Sequence, residues 1–254
     1  MSAAGVVVHL VWEPLGEAPT ERFLASYRRH AAGAEHRLVV VFKEFREPAA
    51  LDAARRRFAG VEHEELLMPA PCLDLVAYPR VAAAVEAPWL LFLNSASELL
   101  DDGWLAKPLA HLLRPEVGLV GATGSNEGSA SSLPARVLRR RPLVPFPNPH
   151  IRTNAFMLER DLALALDWGD ASSKALAWQV ESGPHGLTRQ VVGRGLEALV
   201  VGRDGVGHPP ENWRESDVFR TGEQSNLLVA DNRTRDYADG GAALRRKLTR
   251  LAWG

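Results

Sequence analysis

Hydrophobic residues in the first half of the chain occur in short unbroken runs, separated by segments with helical spacing. Unbroken apolar runs are typical of strands that are buried on both faces of a sheet. Five runs predict β-strands, at residues 6–11, 38–42, 66–68, 89–93 and 117–121. The segments between them predict helices, at residues 18–30 (with Thr20 as N-cap), 49–58, 73–85 and 102–113. This alternation indicates an α/β fold, with a mostly parallel sheet flanked by helices on both faces.

The middle of the chain differs in composition. Residues 126–150 include a small polar stretch and a proline-rich stretch, which predicts a long surface loop. Arg139, Arg140 and Arg141 in this loop are either solvated surface charge or a clamp for an anionic ligand. Because no repeat or clean linker is visible, we expect a single domain whose halves are residues 1–125 and 151–254. The second half predicts strands at 154–158 and 198–201 and helices at 161–168, 173–180, 186–195 and from about 241.

Composition narrows the class of protein. The 254 residues are 46% hydrophobic and 24% charged, which is typical of a globular protein. The 30 basic and 31 acidic residues leave a net charge of −1, so no overall positive field is available to bind nucleic acid. The single cysteine, Cys72, excludes a disulfide within the chain and a zinc ribbon.

The sequence also bears on location. The first residues lack the basic start of a targeting segment, and the longest apolar runs are about half the length of a membrane span. We therefore expect a cytoplasmic protein. The basic C-terminal helix is expected to pack on the core, with peripheral membrane or partner contact as the alternative.

Candidate chemistry is expected beyond the carboxyl ends of the parallel strands, where α/β sheets bind their ligands. There the segment APWLLFLNSASELLDDGWLAKPL places Asn94, Ser95 and Ser97 directly after a buried strand. This segment resembles the centre of the GT-A glycosyltransferases, especially the large inverting family that uses nucleotide sugars. In that family the strand ends in Asp-x-Asp, whose carboxylates hold Mn²⁺ or Mg²⁺ against the donor diphosphate. Here Ser95 and Ser97 stand at the acidic positions.

Further segments carry the same resemblance. VVVHLVWEPLG is similar to the first strand and its loop, and PAPCLDLVAYPRV is similar to the region that contacts base and ribose. VGLVGATGSNEG and IRTNAFMLERDL are similar to the strand after the central helix and to the acceptor-side strand and helix, as in a bacterial subfamily of this fold. The resemblance implies that Asp74 and Tyr78 contact the nucleotide. It also implies that Glu181, in AWQVESG, is the base that activates the acceptor.

Other side chains have two interpretations each. Asn94, Ser95 and Asp74 are either ligand contacts or helix N-caps. A polar cluster, His150, Arg152, Thr153 and Asn154, leads into the predicted strand at 154–158 and suggests that Arg152 and Asn154 contact sugar or diphosphate. Arg189 either joins this contact or forms a surface salt bridge. Glu181, which we place in a loop between helices, is either the base or structural. His208 is a candidate metal ligand that also fits an ordinary role.

We therefore expect a glycosyltransferase of the hexosyltransferase class, with a nucleotide diphosphate sugar as donor and an unknown hydroxyl acceptor. Residues 1–125 would bind the nucleotide, and residues 151–254 would form the acceptor side. The alternative is a catalytically degenerate GT-A-like domain that binds a sugar or a protein. A nucleotidyltransferase is disfavoured, because the loop after the first strand, WEPLGEAP, is acidic rather than basic and glycine-rich.

Overall fold

The computed structural model describes residues 4–128, 144–171 and 173–254. Arg139, Arg140 and Arg141 lie outside these residues. The strands are β1 (Gly5–Trp12), β2 (His36–Lys43), β3 (Glu64–Met68), β4 (Trp89–Leu93), β5 (Glu98–Leu99), β6 (Val117–Gly121), β7 (Gly124–Ser125), β8 (His150–Ile151), β9 (Ala155–Glu159), β10 (Glu197–Val201), β11 (Gly207–His208) and β12 (Val229–Ala230). The helices are α1 (Ala18–Arg29), α2 (Pro48–Arg57), α3 (Asp74–Ala84), α4 (Ala106–Leu112), α5 (Arg160–Ala165), α6 (Lys174–Ser182), α7 (Leu187–Val192), α8 (Asn232–Ala238) and α9 (Ala242–Trp253).

A mostly parallel sheet of eight strands forms the centre of this single α/β domain, in the order β11-β10-β6-β9-β4-β1-β2-β3. The strands β1, β2, β3 and β4 run parallel to their neighbours in that group, as does β10 to β6. Strand β9 runs antiparallel between β4 and β6. The start of β9 therefore lies beside the carboxyl ends of β4 and β6. The expected α/β class, with a mostly parallel sheet, is confirmed.

Both faces of the sheet are covered, as the unbroken apolar runs indicate. In β1, Val8 and Leu10 belong to one core cluster together with Tyr78 of α3. Val7 and Val11 point to the other cluster, which contains Phe23 of α1. Because successive side chains of a strand alternate between faces, one run of valine and leucine supplies both clusters.

Several predicted boundaries are wrong. The N-cap of α1 is Glu17 rather than Thr20, because Pro19 fits the first helical turn, where its missing N–H costs nothing. Helix α4 begins at Ala106, several residues after the expected start at 102. Helix α7 spans only Leu187–Val192 of the predicted 186–195.

The C-terminal helix α9 packs on the core, as expected. Trp253 is buried and its Nε1 donates a hydrogen bond to the backbone oxygen of Phe219 at 2.8 Å, whereas Arg246 and Lys247 are exposed. Peripheral membrane contact by these basic residues stays a prediction. Within the described part of the chain, no helix combines the length and apolar character needed to cross a bilayer.

Candidate active site

A cavity of about 460 Å³ opens at the carboxyl ends of β1, β2 and β4, where the strand order predicts a ligand site. Its wall combines loops of the first half with helices α6 and α8 of the second half. The residues that line it are Trp12, Leu15, Lys43, Glu44, Cys72, Leu73, Asp74, Leu75, Asn94, Ser95, Ala96, Thr153, Lys174, Ala177, Trp178, Glu181, Asn232 and Arg233. Of the predicted site residues, the cavity thus brings together Asp74, Asn94, Ser95 and Glu181.

One wall of the cavity carries a buried ion pair. Lys43, the last residue of β2, has only 2% of its side chain exposed, and its Nζ donates to Asp74 Oδ1 at 2.5 Å. Asp74 is the first residue of α3 and is 38% exposed. The N-cap position belongs to Leu73, so Asp74 does not cap its helix. The ion pair holds one oxygen of Asp74 and leaves the other available to a ligand.

The side chain of Asn94 stabilises the turn after β4. Asn94 Oδ1 accepts hydrogen bonds from the backbone N–H of Ala96 and from Ser97 Oγ, each at 3.0 Å. Ser97 is fully buried and also donates to the backbone oxygen of Asn154. No helix follows this turn, so Asn94 and Ser95 are not N-caps, and β5 follows instead. As a result, Ser95 lines the cavity, whereas Ser97 is buried and does not line it.

Two lining residues carry buried polar atoms without a hydrogen-bond partner among the described residues. They are Trp12 Nε1 and Ser95 Oγ. Buried polar groups are nearly always paired, with protein, water or ligand. These atoms are therefore suited to a polar ligand in the cavity.

The residues after β4 do not fit the metal site that the resemblance implies. Mn²⁺ and Mg²⁺ require several oxygen ligands, preferably carboxylates, but Ser95 and Ser97 supply hydroxyl groups, and Ser97 is buried away from the cavity. Across the described ranges, no group of three or more His, Cys, Asp or Glu side chains is placed to hold an ion. His208 lies in β11, at the far edge of the sheet from β1 and β2, and contacts Asp204.

Glu181 lies in the cavity wall with one carboxylate oxygen held and one free. Its Oε2 accepts hydrogen bonds from Thr153 N at 2.7 Å and from Thr153 Oγ1 at 2.5 Å. Its Oε1 makes no hydrogen bond with any described residue. The expected loop position is wrong, because α6 continues through Ser182 and places Glu181 in its last turn. Helix α6 thus directs the carboxylate towards Thr153, at the start of β9.

The charge state of Glu181 follows from its neighbours. Burial alone would raise the pKa of the Glu181 carboxyl, but His150, Arg152 and the hydrogen bonds from Thr153 outweigh burial and hold that pKa below its ordinary value. Glu181 is therefore ionised at neutral pH. An ionised carboxylate with one free oxygen can accept a proton from a hydroxyl group in the cavity.

Arg152 does not line the cavity. It is buried, its Nη2 donates to Asp231 Oδ2 at 2.7 Å, and its guanidinium stacks on the ring of Phe219 at 4.2 Å. Asp231 is the N-cap of α8 and also accepts from the backbone N–H of Thr234. Arg152 thus fixes the start of α8, and its direct contact with the donor stays a prediction.

The structure also places the other predicted donor contacts outside the lining. Tyr78 is fully buried in the core, where its hydroxyl donates to the backbone oxygen of Thr153 at 3.2 Å. Asn154 is buried and accepts from Thr123 Oγ1 at 2.7 Å. Arg189 donates to Asn148 Oδ1 at 2.9 Å. These three side chains hold neighbouring residues in place, and their contact with a donor stays a prediction.

Solved structures of other proteins resemble this chain, although sequence comparison finds no match. No family model matches the chain, and no curated protein matches it in a sequence search. Among solved structures, a mannosyltransferase from Pyrobaculum calidifontis, solved with GDP-Man and Mn²⁺, aligns with 99% of this chain and 70% of its own, at a TM-score of 0.53 and 12% identity. The chain has a GT-A fold.

Two further structures resemble this GT-A domain less closely. Glucosyl-3-phosphoglycerate synthase from Mycobacterium tuberculosis, in complex with phosphoglyceric acid, aligns at a TM-score of 0.49 and 18% identity, over 78% of this chain and 69% of its own. Mouse xyloside xylosyltransferase 1, in its apo form, aligns at a TM-score of 0.46 and 11% identity, over 78% of this chain and 85% of its own.

The GT-A cavity contains residues that the sequence did not single out. Lys43 ends β2 at the carboxyl edge of the sheet, but its pairing with Asp74, 31 positions away, leaves no local signal in the sequence. Lys174 and Arg233 come from α6 and α8, and Trp178 adds an aromatic side chain. A helix signal was available for α8, since Asp231 and Thr234 form a capping box, which is visible as D-x-x-T in the sequence.

Proposed function

We propose that this protein is a glycosyltransferase that moves a hexosyl group from a nucleotide diphosphate sugar to a hydroxyl acceptor. The observation that carries the proposal is the position of Glu181. Its ionised carboxylate forms part of the same cavity wall as Asp74 and Asn94, at the ligand-binding edge of a GT-A sheet. The similarity in fold to a mannosyltransferase supports the same reaction class.

The proposed reaction assigns a role to each side of the cavity. The nucleotide lies against Asp74 and the turn at Asn94, with Trp12 as an aromatic neighbour. The acceptor hydroxyl lies near Glu181 Oε1, which takes its proton as the acceptor oxygen attacks the anomeric carbon of the donor. The bond between that carbon and the phosphate oxygen breaks, and the nucleoside diphosphate leaves with both bonding electrons.

Thr153 prepares Glu181 for this role. Its two hydrogen bonds fix Oε2, so the Glu181 side chain is already oriented for Oε1 to accept the proton. A positioned general base contributes about 10²- to 10⁴-fold to a rate. The substitution of Glu181 by glutamine keeps the size and an acceptor for Thr153 but removes the basic oxygen.

One feature favours a second candidate, a GT-A domain that binds a sugar or a protein without transfer. Serine replaces carboxylate at positions 95 and 97, so the usual metal ligands of the resemblance are missing. This candidate predicts binding without turnover, which separates it from the glycosyltransferase.

The test combines calorimetry with an assay for nucleoside diphosphate release. Sugars linked to uridine, guanosine and thymidine diphosphate are titrated with and without MnCl₂, and release is followed with and without simple sugar acceptors. The wild type should bind at least one donor and release its nucleoside diphosphate. Glu181→Gln should bind equally well but release about 10²- to 10⁴-fold more slowly.

Glu211→Gln, an exposed residue outside the cavity, is the matched control and should behave as wild type. Binding of no donor under any condition contradicts the glycosyltransferase. Binding without release by the wild type favours the binding module, and unchanged release by Glu181→Gln removes Glu181 as the base.

A further inference from the structure

We propose that this site holds the donor diphosphate with two side-chain cations, Arg233 and Lys174, in place of a divalent metal ion. The inference rests on the proposed function, since it assumes a diphosphate in the cavity. It assigns to these two residues the neutralisation of the charge that builds up on the leaving group. Neither residue has a role in the sequence-based hypothesis.

The first observation is the set of side chains after β4 that could ligate a metal ion. A two-carboxylate metal site needs acidic side chains after this strand, and here the hydroxyl of Ser97 is turned into hydrogen bonds with Asn94 and Asn154. The side-chain oxygen of Asn94 is itself occupied by Ala96 N and Ser97 Oγ. Only Ser95 remains directed to the cavity, and one hydroxyl is a poor ligand set for Mn²⁺ or Mg²⁺.

The second observation is that two cations in the cavity wall keep their hydrogen-bond donors free. Each lining carboxylate has a protein partner: Asp74 pairs with Lys43, Glu44 accepts from Cys72 N, and Glu181 accepts from Thr153. By contrast, Arg233 and Lys174 make no hydrogen bond or ion pair with any described residue. The lining side chains carry three positive and three negative charges, but the guanidinium of Arg233 and the ammonium of Lys174 keep their hydrogen-bond donors free, which suits an anionic ligand.

Arg233 is held in place although its side chain is free. The backbone on its N-terminal side is fixed at Asp231, which is buried, pairs with Arg152 and caps α8 through Thr234. Arg235 in the same helix donates to the backbone oxygen of Ala96 at 2.8 Å. The start of α8 is thus tied to the turn at residues 94–97, and Arg233 enters the cavity beside that turn.

Lys174 has a matching relation to the base. Lys174 and Glu181 lie seven residues apart on α6, and a separation of seven places two side chains on the same face of a helix. Both line the cavity. One face of α6 therefore presents a cation and the general base together, and the leaving group and the acceptor would contact the same helix.

The chemistry of the two cations fits a diphosphate. A guanidinium binds two phosphate oxygens at once, and an ammonium supplies a compact point charge. Both charges stabilise the nucleoside diphosphate as it departs, which is the electrostatic task of a metal in such reactions. Asp74, Asn94 and Trp12 remain available for the nucleoside part.

The experiment measures nucleotide affinity by calorimetry with EDTA and, separately, with MnCl₂. UDP, GDP and dTDP are titrated first, and the best of them is compared with its monophosphate and its nucleoside. The wild type should bind the diphosphate equally well in both buffers. Arg233→Gln and Lys174→Gln should each weaken the diphosphate about 10- to 100-fold, the monophosphate less, and the nucleoside not at all.

Lys247→Gln, an exposed residue of α9 outside the cavity, is the control and should not change any affinity. Binding of the diphosphate only with MnCl₂ overturns this inference while leaving the proposed function intact. An equal loss for diphosphate and nucleoside in Arg233→Gln and Lys174→Gln also overturns it. Binding of no nucleotide in either buffer overturns the proposed function and this inference with it.

Discussion

Arg152 and Asp231 form a buried ion pair, with 2.7 Å between Nη2 and Oδ2, that joins the two sides of the candidate active site. The residue after Arg152 is Thr153, which holds the carboxylate of Glu181. Two residues after Asp231 is Arg233, which also lines the cavity. One ion pair thus positions both the proposed base, Glu181, and Arg233, which is proposed to bind the diphosphate.

Arg152→Met is expected to lower the free energy of unfolding by about 3–5 kcal/mol, because it leaves the buried Asp231 carboxylate without its charge partner. Urea denaturation measures this change. Arg214→Met, an exposed arginine with no partner among the described residues, should cost less than about 1 kcal/mol. Similar values for the two variants would show that the pair does not carry the stability of this region.

Thr153→Val is expected to shift the pH dependence of the transfer reaction. The valine keeps the backbone donor to Glu181 but removes the Oγ1 donor, so the pKa of Glu181 should rise from its lowered value. A hydrogen bond to a charged group contributes about 1.5–3 kcal/mol. The acid limb of kcat/KM should therefore move to higher pH by about one to two units.

Thr221→Val provides the control, since Thr221 bonds to Asp217 outside the cavity. The pH profile of kcat/KM reports groups of the free enzyme. If the acid limb stays in place in Thr153→Val, the titrating group is not Glu181.

The burial of His9 is expected to make the free energy of unfolding depend on pH. It lies fully buried in β1, stacked on Phe23 with ring centroids 3.6 Å apart, and burial lowers its pKa to about 3. The unfolded chain binds a proton at His9 near pH 6.5, whereas the folded chain does not until about pH 3. From His9, stability is therefore lost as the pH falls through this window, by about 1.4 kcal/mol per unit.

His9→Leu should weaken this dependence. The free energy of unfolding of His9→Leu minus that of the wild type should increase when the pH is lowered from about 8 to about 5. This expectation does not depend on the size of the difference at pH 8. Urea titrations at the two pH values measure the difference. An unchanged difference would mean that His9 does not remain neutral in the folded state.

Tyr78→Phe separates a core role from a ligand role. The hydroxyl of Tyr78 bonds to the backbone oxygen of Thr153, so its loss should lower the free energy of unfolding by about 0.5–1.5 kcal/mol. Nucleotide affinity should stay the same. Tyr237→Phe is a matched control, because the partly buried Tyr237 hydroxyl bonds to the backbone oxygen of Gly222, outside the cavity. A clear loss of nucleotide affinity in Tyr78→Phe alone would restore the ligand role that the sequence suggested.

The sequence predicted the parts of the site that depend on local pattern. Unbroken apolar runs located the strands, and the carboxyl-edge rule then selected Asp74, Asn94 and Ser95. The remaining parts depend on partners that are remote in sequence. Lys43 pairs with a residue 31 positions away and Arg152 with one 79 positions away. No local pattern distinguishes a buried, paired arginine such as Arg152 from one that faces a ligand.

The antiparallel strand β9 explains another difference. In a parallel strand, residues after the strand reach the ligand edge, but in β9 the residues before it do so. Thr153 therefore lines the cavity, whereas Asn154, the next residue, packs behind it. The direction of a strand depends on its neighbours in the sheet, so the sequence alone did not separate these two roles.

The pairing of β5 with β12 has a consequence for the order in which the protein acquires its ligand. Leu99 pairs with Val229, which brings the segment before α8 beside the residues that follow β4. During translation, Lys43, Asp74 and Asn94 emerge long before Arg233. A nascent chain that ends before β12 contains the residues of the proposed nucleoside side of the cavity but lacks Arg233. Because a ligand stabilises only the state that binds it, a nucleotide that binds as proposed can stabilise the fold fully only after synthesis reaches α8.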